Sequence, residues 1–229
     1  RLNVLATLKS AAPWQVLRKR QDSTRNALVQ IRRDDLRVTR FEDSVESTTV
    51  FVVDASGSQA ARRLAEVKGA IEILLNDCYV RRDQVALIAF RGNSADLLLP
   101  PTRALARARR SLAALPGGGA TPLASGLDSA RELADSIAHH GRVPAIVLMT
   151  DGRANVTRDQ QQDIARAEAD ALDSAREMLL AGYRSLLVDT ARRPRPRARA
   201  IADAMGARYV PLPQADASTI SAAVQANAA

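Results

Sequence analysis

Thr48-Thr49-Val50-Phe51-Val52-Val53-Asp54-Ala55-Ser56-Gly57-Ser58 is the stretch that decides the fold. An unbroken run of β-branched and aromatic side chains gives way abruptly to a carboxylate, two hydroxyls and a glycine. A short apolar run without polar alternation suits a strand buried on both faces, as in parallel sheets. Beyond Val53, oxygen-bearing side chains recur at every second position. If that loop is extended, Asp54, Ser56 and Ser58 point the same way and offer one carboxylate and two hydroxyls to a common centre. Gly57 would let the backbone turn tightly.

Working outward, similar apolar runs recur at Val85–Phe90, Ala145–Met149 and Ser185–Val188. Alanine-rich segments with apolar residues three and four apart lie between and after them. They predict helices over Ala60–Leu75, Ala104–Leu115, Leu123–Ala138, Ile164–Leu180 and Ala198–Met205. Alternation of this kind predicts an α/β fold: a Rossmann-like, doubly wound, mostly parallel sheet with helices on both faces. Ala95–Leu99 is expected to add one antiparallel edge strand. Residues 1–47 read as a lead-in, with a short helix around Trp14 to Leu17 and an edge strand through Leu36, Val38 and Phe41. Residues 48–229 read as the domain proper.

Composition bounds the function. The 229 residues, 46% hydrophobic, are enough for a sizeable core. A net charge of +8 invites nucleic acid or an acidic partner, but an aromatic content of 3% leaves few stacking platforms, so acidic protein surfaces are expected instead. Only Lys9, Lys19 and Lys68 are lysines, an arginine bias that a GC-rich genome would explain. Cys78 is the single cysteine, so no internal disulfide can form. It falls on a helical pattern and is expected in the core. With no apolar stretch of membrane-spanning length and no signal pattern at Arg1, the chain is expected to be cytoplasmic and a fragment. Arg192-Arg193-Pro194-Arg195-Pro196-Arg197 reads as a solvated loop.

The chemistry-bearing residues fall where open α/β sheets bind ligands, beyond the carboxyl ends of the strands. Asp54 ends one apolar run and Asp151 ends another. Thr121 sits in the loop Gly117-Gly118-Gly119-Ala120-Thr121-Pro122 ahead of a helix. Singly, each has an ordinary explanation: helix capping for the serines, a turn for Asp151-Gly152. Together they put oxygen ligands at three strand-to-helix junctions. Oxygen-only ligands with two carboxylates suit a hard cation, Mg²⁺ above others. His139 and His140, near a helix C-terminus, are explained by the helix dipole without a metal.

Phe-Val-Val-Asp54-Ala-Ser56-Gly-Ser58, Gly-Gly-Ala-Thr121-Pro-Leu and Val-Leu-Met-Thr-Asp151-Gly-Arg together resemble the metal-ion-dependent adhesion site of von Willebrand A (integrin I-like) domains. That resemblance spans about Thr48 to Val210. It implies that Asp54, Ser56, Ser58 and Thr121 are direct or near-direct metal ligands, with Asp151 often acting through water. Longer phrases, Arg40–Ser58, Cys78–Gly92 and Leu97–Arg103, with Ala-Pro-Trp14-Gln upstream, are similar to the C-terminal part of magnesium chelatase D subunits. The resemblance implies a part in ATP-driven Mg²⁺ insertion into protoporphyrin IX for chlorophyll or bacteriochlorophyll synthesis. The expected partners are an AAA+ ATPase subunit and a porphyrin-binding subunit, reached through an acidic residue, with no nucleic acid and no membrane span.

No G-x-x-x-x-G-K-[ST] phosphate cradle is present, so this stretch alone is expected to be non-catalytic. A cobalt chelatase relative is the competing assembly. A Mg²⁺-dependent phosphoryl hydrolase would use Asp54 or Asp151, but the second aspartate two residues after Asp54 that such a loop carries is missing.

Overall fold

A computed structural model describes residues 2–21, 28–38, 46–56, 69, 71–72, 75–76, 78–80, 83–114 and 117–212. By internal contacts the chain divides into two units, Arg1–Ser44 and Val45–Ala229.

In the larger unit, six strands form one sheet in the order β3-β2-β1-β4-β5-β6. They are β1 (Ser47–Asp54), β2 (Gln84–Arg91), β3 (Ser94–Thr102), β4 (Val143–Thr150), β5 (Arg184–Asp189) and β6 (Arg208–Pro211). All neighbouring pairs are parallel except β2 and β3. The expected antiparallel edge strand is therefore present, and it runs longer than Ala95–Leu99. Its extension includes Pro100 and Pro101, which an edge strand tolerates because its outer N–H groups need no partner.

Central β1 is buried along its length to Val53, and its side chains alternate between two cores. Phe51, Val53 and Ala55 pack with Ile71, Leu75, Cys78 and Ala108. Val50 and Val52 face the other side, where Leu123, Leu127, Ala130, Ala167, Ala171, Ala198 and Ile201 cover them. Burial of each such Val or Phe contributes roughly 1.5–3 kcal/mol, and β1 places four of them back to back, so this strand anchors both layers. The second layer consists of the helices Leu123–His139, Ile164–Leu180 and Pro196–Ala204. Numbered along the chain after α1 (Val4–Ala11), α2 (Gln15–Gln21) and α3 (Leu105–Ala113), these are α4, α5 and α6. Between β1 and β2, every described residue from 69 to 80 is helical, including Cys78, which is fully buried. The rest of the predicted Ala60–Leu75 helix lies outside the described residues.

Small residues permit the close packing. Gly126 on α4 sits so near Phe90 that a Cβ there would lie 2.6 Å from the ring's Cδ1. Strand β6 was not anticipated. Its four residues, Arg-Tyr-Val-Pro, are mostly half-exposed at the sheet edge and show too little apolar pattern to read.

Within the smaller unit, α1 begins at Asn3, whose side chain accepts from the Ala6 N–H at 2.9 Å. A turn at Ala12–Trp14 leads into α2. The expected alternating strand through Leu36 and Val38 takes another form among the described residues: a 3₁₀ turn at Arg33–Asp35 and a single antiparallel bridge, Leu2 to Val38. Phe41 lies outside the described residues. Arg18 and Asp35 form a buried two-pronged pair, Nη1 to Oδ2 and Nη2 to Oδ1, and Asp35 also accepts from the Arg32 N–H at 2.8 Å. The guanidinium's hydrogen bonds hold the Asp35 carboxyl down at about 2, against 3.8 ordinarily.

Asp35 stays ionised to a lower pH in the folded unit than in the unfolded chain. Its stabilising contribution is complete above about pH 4 and gone below about pH 2. An acid titration followed by the fluorescence of Trp14, the one tryptophan, is expected to move within that window. In Arg18→Gln the transition is expected at higher pH, and an unmoved midpoint would contradict the pair's role.

Candidate metal centre

Parallel strands share a direction, so the carboxyl ends of β1, β4 and β5 fall on one edge, in register: Val53 opposite Met149, and Thr150 opposite Asp189. Asp54 is the last residue of β1. The chain then leaves the sheet with Ala55, whose N–H still donates to the Phe90 carbonyl at 3.1 Å. Ser56 turns back on Asp54: its N–H and its Oγ both donate to Asp54 Oδ1, at 3.0 and 2.5 Å. From the other side, Thr150 Oγ1 at the end of β4 donates to Asp54 Oδ2 at 2.9 Å.

Thr121 arrives from the glycine loop, which joins α3 to α4, so its junction is helix-to-helix and not strand-to-helix as expected. Gly118 and Gly119 take φ values of 110° and 94°, a region open to glycine, and the Gly118 N–H donates to the Ala55 carbonyl at 2.8 Å. That docking brings Thr121 Oγ1 to 2.7 Å from Ser56 Oγ. Asp151 follows Thr150 directly, is buried, and pairs with the Arg153 guanidinium at 3.5 Å. Its charge lies near enough to Asp54 to disfavour that group's ionisation. Asp54, Ser56 and Thr121 thus meet in one hydrogen-bonded cluster with Asp151 beside it. Ser58 lies outside the described residues.

The von Willebrand factor type A domain profile matches residues 49–153, the segment carrying all of these groups. The chain is 47% identical over 221 residues to the magnesium-chelatase 60 kDa subunit of Cereibacter sphaeroides, covering 96% of this chain and 39% of that subunit. The 67 kDa subunit of Chlorobaculum tepidum is 39% identical over 231 residues, covering 95% of this chain and 37% of that subunit. Among solved structures, a von Willebrand factor type A protein from Catenulispora acidiphila superposes with a TM-score of 0.57 at 17% identity, covering 80% of this chain and 42% of that one. This chain belongs to the von Willebrand factor type A family. It spans about two fifths of the length of its chelatase relatives.

In this von Willebrand A domain the cluster's chemistry fits a hard cation. All its donors are oxygens, and among the described residues no group of three or more His, Cys, Asp or Glu could hold a metal instead. The histidines are occupied otherwise: Nδ1 of His139 and of His140 donate to the carbonyls of Asp135 and Ser136, at 2.7 and 2.6 Å. Desolvation pushes the Asp54 carboxyl up to about 6, opposed by the donors from Ser56 and Thr150 and reinforced by Asp151. A positive charge at the cluster would offset both the desolvation and the repulsion.

Two positioning residues escaped the sequence reading. Thr150 braces Asp54 and accepts from the Gly152 N–H at 3.1 Å, locking the start of the Asp151 loop. Asn155 clamps Thr121 at both ends of its peptide: Oδ1 accepts from the Thr121 N–H at 2.6 Å, and the Asn155 N–H donates to the Thr121 carbonyl at 3.2 Å. The loop itself is pinned by Arg158, which reaches Asp128 on α4 and Ser174 and Glu177 on α5 at 2.8–3.1 Å.

Because Asp54 holds its proton to a higher pH when folded, its contribution to metal-free stability is complete below about pH 4 and is lost as pH rises through about 6. Asp54→Asn is expected to raise metal-free stability at pH 7 by on the order of 1–3 kcal/mol and to abolish the rise in Tm with added Mg²⁺. A Mg²⁺-dependent Tm that survives the substitution would remove Asp54 from the ligand set. Asn155→Ala, which frees Thr121, is expected to weaken Mg²⁺ binding about 10- to 100-fold by calorimetry.

Proposed function

We propose that this chain is the metal-dependent interaction domain of a magnesium-chelatase D-type subunit. It couples an AAA+ ATPase ring to the porphyrin-binding subunit during ATP-driven insertion of Mg²⁺ into protoporphyrin IX. The observation that carries the reading is the meeting of Asp54, Ser56 and Thr121 at 2.5–2.7 Å, with Asp151 adjacent, in a chain whose relatives are magnesium-chelatase subunits.

A resident divalent cation, Mg²⁺ above others, would be held by Asp54, Ser56, Thr121 and Asp151, with Ser58 as the fifth expected ligand. It supplies Lewis acidity toward an incoming oxygen. Two protein carboxylates would balance its charge without exceeding it and the remaining donors are neutral hydroxyls, so the site would still favour an acidic side chain of a partner as a further ligand. The domain does no chemistry of its own. Ser56 and Thr121 orient the acceptor oxygens, Thr150 and Asn155 hold them in place, and Arg158 keeps the intervening loop from yielding when a partner pulls on it. This resident ion is distinct from the Mg²⁺ that the assembly inserts.

Capture of the ATPase and porphyrin-binding subunits on this chain is expected in Mg²⁺ and to fall at least about tenfold in EDTA or in Asp54→Ala. The far-UV circular dichroism of that variant should match the native protein. Capture that ignores both chelator and substitution would take the metal out of the mechanism.

A further inference from the structure

The carboxyl edge of the sheet carries a second feature that the candidate metal cluster does not use. The connection from β5 to α6 is Thr190-Ala191-Arg192-Arg193-Pro194-Arg195 and it leaves the sheet at the same edge as Asp54 and Asp151. It is tied there by the Thr190 N–H, which donates to the Thr150 carbonyl at 3.1 Å. Gly152, one residue past Asp151, abuts the start of α6 so closely that a Cβ on it would lie 2.4 Å from the Ala198 backbone nitrogen. Neighbouring strands are about 4.8 Å apart, so the end of β5 lies roughly 10 Å from the end of β1.

Residues 192–197 are all exposed. Arg197 is paired with Glu168 at 3.1 Å. Among the described residues, Arg192, Arg193 and Arg195 have no ion-pair partner. Prolines at 194 and 196 fix their own φ and hold Arg193 and Arg195 extended, as Arg195 is at φ −118° and ψ 147°. Three guanidinium groups are therefore displayed on a backbone that loses little freedom on binding. Arg153, half-exposed beside Asp151, continues the positive rim toward the cluster.

We propose that this arginine loop and the metal cluster form one composite docking surface for an acidic protein segment. One carboxylate of that segment goes to the metal, and further carboxylates about three or four residues away go to Arg192, Arg193 and Arg195. The spacing follows from geometry, since roughly 10 Å is covered by three extended residues. Guanidinium groups suit the role because they take carboxylates two-pronged. Nucleic acid is disfavoured because the loop holds no aromatic side chain for bases to stack on. The inference rests on the metal-dependent reading above and adds to it that the partner is recognised by clustered acids, not by a lone one.

The test uses the full chain and two fluorescein-labelled twelve-residue Gly/Ser peptides, one with a single Glu and one with that Glu plus three more at the third to fifth positions after it. In Mg²⁺ the multi-acid peptide is expected to bind about tenfold tighter by anisotropy. In Arg192→Ser/Arg193→Ser/Arg195→Ser that preference should vanish while the single-Glu affinity stays. Serine at 195 is a favoured helix N-cap, so an unchanged Tm is expected for this variant. A preference that survives in the variant, or is absent from the native chain, overturns the proposal. EDTA should release both peptides from the native chain; if it releases neither, the metal reading fails, whatever the arginines do. Displacement of the multi-acid peptide by a single-stranded oligonucleotide at lower concentration than by unlabelled peptide would assign the loop to phosphate and also overturn the proposal.

Discussion

The organisation of the larger unit turns on where a buried strand has to stop. The apolar residues of β1 are covered on both faces of the sheet, so its one charged residue, Asp54, marks the boundary between core and site. A carboxylate in that position is desolvated and has to be satisfied by local donors. Ser56 and Thr150 supply hydrogen bonds but no charge, and the electrostatic effect of Asp151 opposes ionisation of Asp54. The core that stabilises the fold is thus also what leaves its edge electrostatically incomplete. The cation is proposed to fill that deficit.

A stability conflict follows from the same constraint. The two shifted aspartates pull in opposite directions: Asp35 has its cation built in, whereas no cationic side chain is among the groups that shift Asp54. The first is a structural pair and the second the proposed binding site, and the difference lies in whether the protein provides the counter-charge. Perturbed carboxylates alone do not identify a site; the identity of the perturbing groups does.

Much of this was legible in the sequence, for physical reasons. The β1, β2, β4 and β5 runs announce themselves because two-sided burial forces continuous apolar composition. The long helices α4 and α5 do so because one face of each is alanine-rich and packed. That Asp54 and Asp151 share one edge could be inferred because parallel strands put their ends there; Thr121, on the α3–α4 connection, is brought in by the docking of Gly118 on the Ala55 carbonyl. What could not be read depends on partners distant in the chain. Thr150 and Asn155 act through hydrogen bonds spanning 96 and 34 residues. Nothing about a threonine before an aspartate, or an asparagine in a loop, distinguishes a brace from a surface residue. Strand β6 was too short and too exposed to leave a pattern, and the lead-in's alternating residues belong to a turn and a bridge because the Arg18–Asp35 pair, not a ladder, organises them.

The contact between Gly152 and the first turn of α6 joins two segments nearly fifty residues apart in sequence at a point with no room for a side chain. Chain length in the β5–α6 connection is therefore not free to drift: an inserted residue there would displace the backbone against which the Asp151 loop rests. The turns through Gly141 and Gly182, at the sheet's opposite edge, carry no such restraint: a Cβ on either would meet nothing within 4 Å. Variation in length among related domains should accumulate at those turns and spare the joint behind Asp151, so the sheet has one rigid edge and one permissive edge.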